Sequence, residues 1–251
     1  MGVPVLTWAL LVALVAALLA GTVTGLTGFG LALVSTPLLL FVYEPRTVVV
    51  LTVFFSIFIN VAVVWDSWRE ARRPLALALL LPSAVGVVLG AEVLRLVDPV
   101  YIRLAVGVVV VFSALLLARE VRLPGAETRW GTVVAGAASG ALSTSTGLAA
   151  PPIVLLLASR GLPKEEFRST SALYFLAMSG IGLLVLAGRG LIEAGEVSLG
   201  AALVPAAIVG KVIGTALLKK VSEKAFRAFS LGIVILTGAL GVATALWALV
   251  G

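Results

Sequence analysis

Residues 21–37 read GTVTGLTGFGLALVSTP, and residues 136–152 read GAASGALSTSTGLAAPP. Each lies in an apolar stretch, 3–42 and 130–159, that is too long for a single bilayer crossing of about 20 residues. The first carries four glycines and a proline, the second a Ser-Thr-Ser-Thr run followed by paired prolines. Glycine loosens the backbone and proline removes a donor, so neither stretch suits a continuous helix. Both are predicted to break inside the membrane and turn back.

The two stretches also align. Gly21, Gly25 and Pro37 fall on Gly136, Gly140 and Pro152 at a constant offset. Further on, Arg46-Thr47 matches Arg168-Ser169, Gly86-x-x-x-Gly90 matches Gly210-x-x-x-Gly214, and Arg103 matches Arg227. Charges and prolines mark single-helix segments at 46–65, 74–97 and 100–118 after the first break. Further segments follow the second at 166–187, 196–217 and 225–250. The order of matches predicts a duplication with a charged linker around 119–129: a first repeat over 1–122 and a second over 123–251.

Loop charge fixes how the halves relate. If every segment crossed once, the loop Lys and Arg would divide ten against seven between the two sides. If 3–42 and 130–159 are hairpins, thirteen fall together, in the loops around 69–73, 119–129, 160–168 and 219–227. Only Arg46, Arg95, Arg103 and Arg189 remain opposite. Cytoplasmic loops carry the Lys/Arg excess, so the hairpin arrangement is preferred, with both termini outside. Each half then crosses an odd number of times. The predicted fold is an all-α polytopic membrane protein of two inverted-topology repeats, each a broken helical hairpin followed by three transmembrane helices.

Composition agrees. Of 251 residues 61% are hydrophobic and 12% charged, against about 45–50% and about 25% in soluble domains. A soluble fold of this size cannot hide so much apolar surface, so its partner is the lipid bilayer. Secreted enzymes, cytosolic enzymes and nucleic-acid modules are excluded, and the net charge of +6 reads as loop cations facing anionic headgroups. The sequence has no Cys and no His, which argues against thiolate chemistry, metal centres, haem and Ser–His catalysis. No GxxxxGK[ST] motif is present; neither cofactor nor enzyme activity is expected. The first charge is Glu44, so 3–42 lacks a basic signal-peptide flank and is read as mature structure.

The two breaks are the candidate binding site. A turn inside the membrane leaves backbone N–H groups outside any helix ladder, and helix N-termini there favour an anion. Gly28, Phe29 and Gly30 would allow close backbone approach, and Ser143, Thr144, Ser145 and Thr146, before Gly147, would add hydroxyl donors. The competing reading is that these small residues pack helices, with hydroxyls bonded back to i−4 carbonyls. Lys211, the only Lys or Arg outside a loop, is a candidate counter-charge, against simple snorkelling toward Lys219 and Lys220. Asn60 and Tyr174 are candidate cavity residues; Ser56 and Ser179 read more simply as interhelical bonds. Glu92 is a weaker candidate proton carrier, and Trp8, Trp65, Trp68, Trp130 and Trp247 read as interfacial anchors.

With its GLTGFG breaker, the following proline and the second copy of that element, the chain resembles the TauE/SafE family of membrane permeases linked to sulfite and organosulfonate anions. The resemblance spans nearly the whole chain. Family members often carry a denser glycine run where this chain has Gly25, Gly28 and Gly30. The resemblance implies a multi-pass protein of the cytoplasmic (inner) membrane that moves a small anion, sulfite or an organosulfonate, as a secondary transporter. The residues leave open a channel-like anion pathway, or a non-transporting scaffold or accessory subunit. The anion, the direction, the coupling ion and the oligomeric state are not legible; a homo-oligomer is compatible with the sequence.

Overall fold

A computed structural model describes residues 8–118 and 125–218, with the single positions 222, 225 and 232. Among the described residues it is all helix. The order is α1 (Trp8–Thr27), α2 (Leu31–Leu39), α3 (Pro45–Ser67), α4 (Arg73–Leu96), α5 (Pro99–Ala118), α6 (Arg129–Thr146), α7 (Ala150–Ser159), α8 (Lys164–Gly188) and α9 (Ala194–Leu218). Helices α1, α3, α4, α8 and α9 are long and apolar enough to cross a membrane. The chain is a multi-pass membrane protein. Segments 46–65, 74–97, 100–118, 166–187 and 196–217 become α3, α4, α5, α8 and α9 with ends moved by at most two residues. The segment expected at 225–250 lies outside the described residues apart from 225 and 232.

Both long stretches split. Residues 3–42 give α1 and the nine-residue α2; residues 130–159 give α6 and the ten-residue α7. The breaks share one construction. Gly28 and Gly147 take φ of 77° and 79°, a left-handed turn that residues with a Cβ resist. Just before each, a threonine ties off the helix end. Thr27 Oγ1 lies 2.9 Å from Val23 O and accepts from Phe29 N at 3.2 Å. Thr146 Oγ1 donates to Leu142 O at 2.8 Å and accepts from Leu148 N at 3.3 Å.

Two glycine-lined seams hold the helices together. In the α1/α9 seam a Cβ on Gly21 would overlap the carbonyl of Ala207, and one on Gly25 the carbonyl of Lys211. From the other side, Gly210 and Gly214 press on Leu18 and Thr22. In the α4/α6 seam Gly140 presses on Ser83, and Gly86 and Gly90 on Ala137 and Ala141. Numbers rise together along both seams, so each pair runs parallel. Without a hydrophobic drive inside lipid, such close backbone packing is what joins helices.

The two seams are alike at a register that differs from the one read from sequence. Gly140 occupies in α6 the place that Gly21 occupies in α1, as Gly147 matches Gly28 and Thr146 matches Thr27. The contacts of the two seams superimpose at a shift one helical turn greater than the alignment of Gly21 with Gly136. Residues i and i+4 lie on one helix face, so a slip of four preserves the glycine pattern and is invisible to it.

Charged side chains gather at two ends. At one, Arg46 bonds Leu191 O at 3.1 Å and pairs with Glu193 at 3.2 Å. There too Arg103 donates to Tyr43 O at 3.2 Å and Arg95 pairs with Glu92 at 2.9 Å. Arg189 also pairs with Glu92. At the other, Arg72 pairs with Glu166, its N–H donates to Thr170 at 2.9 Å, and Arg160 reaches Ala126 O at 2.8 Å and Thr132 at 2.7 Å. The end of α3 thus lies beside the start of α8.

Candidate binding recess

The two breaks open onto one recess between α3 and α8. From the first come Thr24, Gly28, Phe29, Gly30 and the opening residues of α2, Leu31 and Ala32. From the second come Ser143, Gly147, Ala149 and Ala150. Helix α3 contributes Thr52, Val53, Ser56 and Asn60, and α8 contributes Phe175, Met178 and Ser179. The recess has a cavity volume of about 30 Å³, room for roughly two waters. It suits a compact solute.

The starts of α2 and α7 both face this space. The first N–H groups of a helix have no carbonyl partner within it, and its N-terminus carries a partial positive charge of about half a unit. Helix α2 opens with three N–H donors, on Leu31, Ala32 and Leu33. Helix α7 opens Ala150-Pro151-Pro152, and its two prolines have none. The donors are therefore concentrated on α2.

Of the residues expected at the site, Gly28, Phe29, Gly30, Asn60, Ser143 and Gly147 lie together on the recess, with Ser56 and Ser179. Thr144, Ser145, Thr146, Tyr174 and Lys211 are not on its lining. Thr144 donates to Val87 O across the seam at 2.7 Å. Ser145 and Thr146 bond back to Ala141 O and Leu142 O, at 2.7 and 2.8 Å. Tyr174 is fully buried, stacked edge-on to Phe175, and its hydroxyl lacks a partner. Glu92 is held by Arg95 and Arg189. Thr24, Thr52 and Met178 were not legible as lining residues; Thr24 is one turn before Gly28, the signal that could have found it.

Lys211 is 6% exposed and pairs with Asp66 at the end of α3. Beside it, buried Arg168 donates to Gly25 O at 2.9 Å and to Thr215 at 3.1 Å, closing a carbonyl at the end of α1. A cation this deep needs its partner. Asp66→Asn is expected to destabilise the protein by roughly 1–3 kcal/mol, below the about 3–5 kcal/mol of a fully enclosed pair because Asp66 is partly exposed. The double variant Lys211→Met, Asp66→Leu should regain most of that loss. Thermal midpoints in detergent check both; an unchanged midpoint for Asp66→Asn would show the pair to be idle.

Among known proteins, residues 13–240 match the family described as Sulfite exporter TauE/SafE. No curated protein and no solved structure matches the chain.

Proposed function

We propose, since the chain belongs to the sulfite exporter TauE/SafE family, that it is a secondary transporter carrying a sulfite or organosulfonate anion through the recess between its two breaks. The observation that carries this reading is the meeting of Gly28–Gly30 with Ser143 and Gly147 on one cavity, where two helix starts converge. Transporters built from inverted repeats hold substrate at such discontinuous helices, with half-helix N-termini directed at anionic groups.

Two observations support inverted repeats. The seams α1/α9 and α6/α4 correspond residue for residue. The equivalent helices α3 and α8 run antiparallel, since Arg72 beyond the end of one meets Glu166 in the first turn of the other. The division into repeats at 1–122 and 123–251 rests on the same correspondence. The separation of charge supports hairpins and, by the Lys/Arg excess, a cytoplasmic position for the end bearing Arg72 and Arg160. On this reading the protein lies in the inner membrane with both termini outside.

Topology is checked in a chain that has no cysteine of its own. Single cysteines at Arg69, Glu127 and Gly161 should react with an impermeant maleimide only after permeabilisation, and one at Asp98 in intact cells. Mixed labelling among the first three would sink the hairpin arrangement. Transport is tested by uptake of labelled sulfite, sulfate and simple sulfonates into liposomes holding the purified protein, with pH and sodium gradients imposed in turn. Saturable uptake with counter-flow is expected. Unsaturable currents would point instead to a channel-like pathway, and no flux of any anion would leave the scaffold reading.

A further inference from the structure

We infer that the recess selects a singly charged anion that itself carries a hydrogen-bond donor, such as a protonated oxyanion, over a dianion or an anion with acceptors alone. The inference rests on the anion-binding reading above and deepens it. Its first observation is charge. Among the described residues no ionisable side chain lines the recess; Lys211 and Arg168 are committed to Asp66 and to Gly25 O. The positive potential there comes from the two helix starts. At about half a charge on α2, and less on α7 whose prolines remove two donors, they balance at most about one negative charge. A second charge would be stripped of water without compensation.

The second observation is Asn60. It is 1% exposed, lies on the lining, and its Oδ1 has no partner. The orientation of the amide is set by its other half. Nδ2 donates to Ser56 O at 2.8 Å and lies 2.9 Å from Ser56 Oγ. A main-chain carbonyl only accepts, so the NH₂ group must face it, and Oδ1 is the atom left over. A buried acceptor without a donor is costly. The recess thus offers donors at the opening of α2 and a lone acceptor on α3. An anion with acidic oxygens at one end and an O–H or N–H at the other satisfies both. A dianion satisfies only the first and meets Asn60 with like partial charge.

Sulfamate and methanesulfonate test this cleanly. They are monoanions of the same shape, differing in an NH₂ group where the other has a methyl. Calorimetry on the purified full-length protein should show sulfamate binding roughly ten-fold more tightly, with the sulfate dianion weaker than either. Asn60→Leu should abolish the preference for sulfamate over methanesulfonate. Equal affinities for the two monoanions on the unaltered protein overturn the donor requirement. Sulfate bound as tightly as sulfamate overturns the single-charge limit. These comparisons need no variant, so a failure of Asn60→Leu to fold leaves the test intact. Binding of none of the three, nor of sulfite, overturns the anion site itself and this inference with it.

Discussion

Gly21→Leu and Gly140→Leu are each expected to abolish recovery of folded protein from the membrane, whereas Gly180→Leu is recovered at near the unaltered yield. The three substitutions are chemically identical. They differ in what the new side chain meets. At Gly21 it meets the carbonyl of Ala207, and at Gly140 the carbonyl of Ser83. Neither obstacle can rotate away, so the helices must part along the whole seam. Overpacking typically costs about 1–3 kcal/mol when side chains can shift; a backbone obstacle puts these sites at or above that range. At Gly180 nothing lies within 4 Å, and replacing a helical glycine there removes a local weakness. Alanine gives the graded version, with Gly140→Ala lowering the thermal midpoint and Gly180→Ala raising it slightly. Gly136 should tolerate alanine only somewhat better than Gly140: its Cβ would also meet backbone, Leu79 O at 2.6 Å, though less closely than that of Gly140 meets Ser83 O, and at the shifted register its counterpart in α1 is Ala17.

That register marks where sequence stopped being informative. The breaks were legible because Gly28 and Gly147 are needed for a left-handed turn and Pro151 and Pro152 stand at the start of α7; Pro37 lies inside α2, as Pro82 and Pro205 lie inside α4 and α9, and marks no break. Helix ends were legible because Pro45, Pro74 and Pro99 sit at them where a missing N–H does no harm. The four-residue slip was not, since helical periodicity repeats each turn. The same limit applied to Ser143–Thr146. Four consecutive hydroxyls point to four directions around a helix, about 100° apart. Only Ser143 reaches the recess, while Thr144 crosses the seam to Val87 O. The partner of Lys211 was hidden for a different reason. Asp66 is 145 positions away and stands at a helix end, where a lone acid reads as an ordinary loop charge.

This division of roles makes the second large effect specific. Ala32→Leu is expected to bring sulfite uptake to background while the protein folds, inserts and keeps its thermal midpoint within a few degrees. Ala32 stands in the first turn of α2, 9% exposed and on the recess lining. Leucine there occupies the space over the donors of Leu31, Ala32 and Leu33, and an isobutyl group offers an anion nothing in return. Thr144→Leu should behave oppositely. Its hydroxyl bonds Val87 O and lies against Gly90, so the larger side chain strikes the seam where backbone leaves no room. The expected signature is lost yield rather than a folded protein without flux. Measuring uptake per folded molecule for both separates the recess from the scaffold that holds it. If Ala32→Leu transports sulfite normally, the anion does not pass between the two breaks. In that case the convergence of the helix starts serves packing alone.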